Sequence, residues 1–411
     1  MKYTVIFHAN LNYSFLLPQR YAYVIHESYE LILDTMRVEF PDQNYVFEAS
    51  GFTLDQIADK APDVLDKLKA AIASGQCEFM GSPYGHLMMS NFPEEDSMWA
   101  LRFSQEAYEH HLGSRCVSGW NPECGWKHYV PNAFKRAGFK QMTLDFDSYA
   151  LSTRPEVRQV ELNPDKKALY GTELPWFDLP GAERALHFPF KDVVPGVNGF
   201  TRSDRLCLTA LQYMMGFRPF EDVLERIKKY SQQNPGEPEG ALILYADDAE
   251  YIGTNGWFEM KYHKRSWENL FQRVPESRDR LVRFISSVLA LPGKLVTFDY
   301  VCNKIPPLQE KYFCEDDLAW HRTWSTAWRS TPASLELDPM CDEIRDKLHR
   351  VEQKAKVHED RAKVREAWFH LICAENSDGR WPPPPHPICP YNKQWVLDHI
   401  AEARRILADW T

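Results

Sequence analysis

The chain reads as an α/β protein, an incomplete (β/α)7 TIM-like barrel with a C-terminal helical domain. Two observations carry this reading. Over residues 1–305 short β-rich runs alternate with longer helical stretches, the pattern of a parallel sheet or barrel. Beyond about residue 305 no convincing strand occurs and only helical periodicity continues.

In chain order the expected strands are Tyr3–His8, Tyr45–Ala49, Cys77–Met80, Val117–Trp120, Gln141–Leu144, Ala241–Tyr245 and Lys294–Phe298. Helical patterns between them cover roughly 20–38, 53–74, 94–112, 219–233 and 276–290. Thr53 and Asp55 can cap the second helix, Gly75 follows its end, and Gly113 follows the third. Residues 151–200 carry scattered Pro and Gly without a clean period, so they read as an insertion near the rim of a catalytic barrel spanning 1–305. Residues 309–330, 335–375 and 392–409 read as the helices of a domain spanning 306–411, interrupted by the Pro-rich stretch Trp381–Pro390.

Chemistry in such barrels sits at the carboxyl ends of the strands. The polar residues directly after the expected strands are His8, Asn10, Glu48, His86, Glu123, Asp145, Asp147, Asp247, Asp248 and Asp299. The fold would bring many of them to one rim, although loops between strands and helices are polar in any case.

Composition narrows the partners. A formal net charge of -10 argues against nucleic acid, because neutralising phosphates needs a basic face. No run of about 18 apolar residues predicts a membrane span, and the start MKYTVIFHANLNYSF lacks a signal-peptide pattern. The cytoplasm is therefore the expected compartment. The nine Cys show no CxxC pairing and read as reduced, buried thiols. Trp120, Trp126, Trp176, Trp257 and Trp381 sit beside Pro, Gly or charged residues, where flat rings suit sugar faces as well as they suit packing.

Three constellations carry candidate chemistry. SGWNPECGW places Glu123 behind Pro122 at a strand end, flanked by Trp120 and Trp126. ALILYADDAEYIG ends an apolar strand in Asp247 and Asp248, adjacent acids that raise one another's pKa, followed by Glu250. CEFMGSPYGH ends a third strand near His86. A glycosidase needs one ionised and one protonated carboxyl flanking the bond it cuts, and Glu123 with one of the two aspartates supplies the pieces.

Five motifs in this order resemble glycoside hydrolase family 57. VIFHANL is similar to the first motif, GSPYGH to the second, WNPECGW to the third, DDAEYIG to the fourth and AENSDGRWP to the fifth. The resemblance implies a retaining mechanism on α-linked glucans or oligosaccharides, with hydrolysis or transfer as outcome. It implies Glu123 as nucleophile and Asp248, two residues before Glu250, as acid/base. His8, Asn10, His86, Trp120, Trp126, Asp247, Glu250, Asp378 and Trp381 are the implied substrate-binding set, with no metal and no cofactor. Asn10 departs from the family pattern, which has a second His there, and an extra Gly-Arg precedes Trp381.

Two other readings compete. Zinc-dependent α-mannosidases and polysaccharide deacetylases use a His/Asp cluster on a related barrel, and His8, His86, Asp247 and Asp248 have suitable chemistry. A non-catalytic carbohydrate-binding protein is the third reading.

Overall fold

Strand β1 (Lys2–Ala9) is buried from Tyr3 onward, as expected of a strand covered on both faces. In this computed structural model it lies in a curled sheet with β2 (Tyr45–Ser50), β3 (Cys77–Ser82), β4 (Ser118–Gly119), β5 (Gln141–Asp145), an antiparallel hairpin β6 (Phe190–Val194) and β7 (Val197–Arg202), and β8 (Ala241–Asp248). The order is β6-β7-β5-β4-β3-β2-β1-β8. Every pairing except that of the hairpin is parallel. β7 and β8 approach each other at the two ends of the seven parallel strands, with no ladder between them among the described residues. The barrel is therefore incomplete. The described residues are 1–154, 182–233, 236–256, 270–319, 328–355, 357–382 and 386–408, with 259, 384 and 410. Trp176, Trp257 and most of the expected insertion lie outside them.

The seventh barrel strand is β7 and not the expected Lys294–Phe298. Residues 151–200 read as an insertion in sequence, yet Val197–Arg202 pairs with β5, and only glycine fits at position 199, where a Cβ would come within 2.3 Å of Leu144 Cδ1. Only Lys294–Leu295 (β9) pairs, with Lys2 and Tyr3 at the start of β1. Asp299, expected at the chemical rim, consequently lies at the opposite end of the barrel. Its backbone N–H donates to Glu78 at 2.9 Å and its carboxylate accepts from Gln141 at 2.7 Å.

Helix α1 runs from Tyr21–Val24 through a π-helical turn, Ile25–Glu30, into Leu31–Glu39. Such turns re-aim side chains, often at functional sites. Here Ser28 donates to the carbonyl of Glu250 at 2.7 Å and the Tyr29 hydroxyl donates to the Glu250 carboxylate. The expected helix over 53–74 is two helices, α2 (Gly51–Lys60) and α3 (Pro62–Ala73). Pro62 cannot donate into a continuing ladder and disfavours helical geometry at Ala61. The cap of α2 is Ser50, which accepts from the N–H of Thr53. Helix α4 (Glu94–Leu112) has the expected bounds and ends on Gly113 at φ 78°. The remaining barrel helices are α5 (Val130–Arg136), α6 (Phe146–Thr153), α7 (Ala182–His187), α8 (Asp204–Met214), α9 (Phe220–Tyr230), the short α10 (Glu250–Gly253), α11 (Ser277–Leu289) and α12 (Phe298–Lys304).

Among the described residues, α13 (Pro332–Glu352), α14 (His358–Ala374) and α15 (Pro390–Ile406) follow. The described part of the expected helix 309–330 is irregular up to residue 319. Its polar groups bond to barrel loops instead: Tyr312 donates to the carbonyl of Asp145 at 3.1 Å, and the carbonyl of Leu318 accepts from Trp126 at 2.7 Å. Among the described residues no helix is long and apolar enough to cross a membrane.

One ion-pair network fastens α13 and α14 to the barrel. Arg345, nearly buried, donates to Asp96 on α4 at 2.5 Å and to Glu375 after α14 at 2.7 Å. Removing one member of such a buried set strands the others without compensation. Arg345→Ala is expected to lower unfolding free energy by about 3–5 kcal/mol, read from the denaturant midpoint at unchanged slope. A loss below about 1 kcal/mol, typical of exposed pairs, would contradict this.

Candidate active site

The loop after β4 holds Glu123 in an unusual backbone conformation. Pro122 presets the turn, and Glu123 and Cys124 follow at φ 53° and 48°, left-handed values costly for side-chain-bearing residues. The N–H groups of Cys124 and Gly125 close the turn on the carbonyls of Asn121 and Pro122 at 2.9 and 3.0 Å. Asn121 is pinned to Thr143 on β5 at 3.0 Å. The result is a half-buried carboxyl on a fixed turn. Burial lifts its pKa well above the ordinary carboxylate range, with further upward pushes from Asp378 and Asp247, while the Arg202 guanidinium pulls it down.

Strand β8 delivers the second acidic group. Asp247 accepts from the N–H of Asp248 at 3.1 Å and lies 3.8 Å from Arg202. Asp248 is buried, and desolvation raises its pKa far above the usual range, reinforced by Asp247, Glu250, Glu123 and Asp378. Four neighbouring carboxyls thus disfavour its charged form. Glu250 is completely buried, bonded by the Tyr29 hydroxyl and by the N–H of Asn10 at 2.7 Å, and its pKa is raised to about 8 by burial.

The opposite wall comes from β1, β2 and β3. His8 hydrogen-bonds through Nδ1 to Glu48, its neighbour in the parallel register. Burial holds His8 down at about 3, so its ring is neutral at ordinary pH, and burial pushes Glu48 up. The His8 ring stacks on Trp120 at 5.0 Å and lies 5.0 Å from the His86 ring. Trp120 is fully buried, so it backs His8 rather than offering an open face.

The region after α14 docks directly on this wall. Asn376 donates to the carbonyl of Gly85 at 2.7 Å, and Ser377 donates to the carbonyl of His86 at 2.7 Å. The Asp378 carboxylate accepts from Asn10 Nδ2 at 3.1 Å and from the N–H of Ser14 at 2.9 Å. Its pKa rises to about 6 through burial, opposed by those bonds. Asn10, the departure from the family pattern, therefore ties β1 to Glu250 and to Asp378 at once. The extra Gly-Arg also has a structural use. Buried Arg380 donates to the carbonyls of Ala374 and Asn376 at 3.0 and 2.9 Å and to Asp338 at 2.6 Å, gathering the end of α14. Trp381 stacks on Trp328 at 4.9 Å.

Glu123, Asp247, Asp248, Glu250, His8, His86, Asn10 and Asp378 thus gather at one end of the barrel. Trp126 points elsewhere. It packs edge-on against Tyr312 at 5.0 Å and lines a separate open depression of about 470 Å³ with Val193, Phe313 and Asp316. Sequence reasoning missed Arg202 and Asp204, at the end of the unrecognised β7. Arg202 has no exposed surface and lies 3.4 Å from Asp204. The strand end is unmarked in sequence because residues 151–200 read as an insertion without a clean period.

The metal alternative requires His8, His86, Asp247 and Asp248 to converge on one point. Among the described residues, the side chains whose ligand atoms converge are His26, Glu30 and Asp63, and Glu366, His370 and Glu402, all outside this cleft.

The fold and site define an open α/β barrel with a carboxyl-lined cleft at one end. The chain belongs to glycosyl hydrolase family 57, whose pattern matches residues 3–287. An α-amylase of Pyrococcus horikoshii is 22% identical over 267 residues, covering 64% of this chain and 35% of the relative. A 4-alpha-glucanotransferase of Thermococcus litoralis is 22% identical over 253 residues, covering 61% and 32%. The match thus spans about a third of the length of these curated relatives. In fold, the chain superposes on a GH57-type branching enzyme from P. horikoshii with TM-score 0.70 at 13% identity, over 100% of this chain and 95% of that one.

Proposed function

We propose that this protein is a retaining α-glycosidase or glucan-transferring enzyme working by double displacement on α-linked glucans or oligosaccharides. What supports this reading most is membership of glycosyl hydrolase family 57 together with the standing of Glu123 and Asp248 on different strand ends of one cleft, where Glu123 bears electrostatically on Asp248. Burial and neighbouring carboxyls push both groups up, and at Glu123 the Arg202 guanidinium opposes the rise. Ionised Glu123 attacks the anomeric carbon while Asp248 gives its proton to the departing glycosidic oxygen. A glycosyl ester on Glu123 results. Asp248, now the base, takes a proton from water or from a sugar hydroxyl that attacks the ester, restoring the starting anomeric configuration. Water gives hydrolysis and a sugar hydroxyl gives transfer.

The other polar groups bind and orient. Neutral His8 offers its remaining ring nitrogen to sugar hydroxyls without competing for protons, and Asp378 from the helical region supplies a carboxylate wall. We also propose that residues 306–411 complete the site and are not an independent appendage.

Malto-oligosaccharides and nitrophenyl α-glycosides of several sugars test the reading through product size and the anomer first released. A first-formed β-anomer would replace retention by inversion, and inertness on every α-glycoside would remove the assignment. Chelation separates this reading from the zinc alternative. Activity is expected to persist in excess chelator, and loss restored by one equivalent of zinc would favour the metal mechanism.

A further inference from the structure

Two adjacent buried aspartates at the end of β8 pose a problem for any acid step: a proton shared between them must rest on one particular oxygen. We propose that Arg202 is a positioning residue that, by pairing with Asp247, keeps that side chain ionised, so that the proton of the pair rests on Asp248. The inference rests on the proposed double displacement.

The geometry is specific. Arg202 ends β7, across the unclosed seam of the barrel from β8, and is fully buried. Its guanidinium lies 3.8 Å from Asp247 and 3.4 Å from Asp204. Other titratable groups within its field are Glu123 and Cys124 after β4, Asp145 on β5, Cys207 on α8 and His8 on β1. Facing Asp248 are Asp247, Glu250, Glu123 and Asp378, together with the phenols of Tyr13, Tyr29 and Tyr245. Arg202 thus contacts one aspartate of the pair, while the carboxyls of Glu250 and Asp378 bear on the other. Interacting acids titrate as a pair, and an asymmetric cation decides which member holds the proton. An ionised Asp247 then raises the pKa of Asp248 further.

The test uses Arg202→Met, Arg202→Lys, Asp247→Asn and the double variant R202M/D247N, each on a sugar-linked and a nitrophenyl-linked α-glycoside. In R202M the proton is no longer confined to Asp248. Sugar-linked turnover, compared above the acidic limb of both enzymes so that Glu123 is ionised in each, is expected to fall about ten-fold or more, and nitrophenyl glycosylation to change far less, because a good leaving group needs little protonation. Removing the cation also disfavours ionisation of the pair, so the alkaline limb of the pH profile moves up. R202K keeps a cation and restores most sugar-linked activity. In the double variant the amide at position 247 cannot compete for the proton, so sugar-linked activity recovers relative to R202M. A residue that only packs would give equal losses on both substrates, an unmoved limb and no recovery, which would overturn the proposal. Should R202M fail to fold, D247N decides: with one repelling anion gone its alkaline limb must move down, and an unmoved limb refutes the proposal that Asp247 is held ionised. An active Glu123→Gln enzyme would instead refute the underlying mechanism, whatever Arg202 does.

Discussion

Glu123→Gln is expected to lower turnover by at least about 10³-fold on every substrate while leaving the fold intact. The amide has the shape of the carboxylate but cannot form a glycosyl ester. Its backbone is held by Pro122, by the Asn121 and Pro122 carbonyls and by the Asn121–Thr143 bond, none of which involves the side-chain charge. Stability should rise slightly at neutral pH. Burial and neighbouring carboxyls raise the folded-state pKa of Glu123 above its unfolded value. Its ionised form therefore opposes folding at any pH above the unfolded pKa, and a neutral amide removes that opposition. Thermal denaturation of the two proteins at pH 7 reads this directly. Glu123→Gly opens a space at the anomeric carbon, where azide should restore part of the rate on an activated glycoside and leave as the glycosyl azide of inverted configuration. Near-normal turnover by Glu123→Gln would end the assignment.

The second large effect separates two neighbouring side chains. Asp248→Asn should reduce cleavage of sugar-linked substrates by about 10²–10⁴-fold, the contribution of a positioned general acid. Nitrophenyl glycosides should lose much less in the same step. Asp247→Asn, measured at a pH below its alkaline limb, should lower both substrates evenly or lower stability. The distinction rests on contacts. Asp247 is engaged by Arg202 and by the N–H of Asp248, whereas Asp248 lies among Glu123, Glu250 and Asp378. If leaving-group dependence appeared in Asp247→Asn instead, the proton donor would be Asp247.

Much of this site was legible in one dimension because its parts are local. β8 and the Val5–Phe7 part of β1 are apolar runs ending in polar residues, and such a run announces both a buried strand and the place where its chemistry starts. His8, Glu123, Asp247 and Asp248 were marked by that rule, and the five motifs supplied the order in which they come together. The helix over Glu94–Leu112 was equally plain, since its period and its closing Gly113 lie within one stretch of chain.

What the tertiary structure decided is carried by partners far apart in sequence. Val197–Arg202 is a strand because it pairs with β5, with Gly199 leaving room for Leu144, and no local pattern around Asn198 could reveal that partner. Asp299 went to the wrong end of the barrel because β9 pairs with the first residues of β1. Tyr29, placed by a π-helical turn, reaches a carboxylate 221 residues away, and Ser14 reaches Asp378 across 364. Which polar residues face the cleft follows from strand ends and is written locally. Which charge each of them carries depends on desolvation and on cations such as Arg202, fields that exist only once distant segments share one interior.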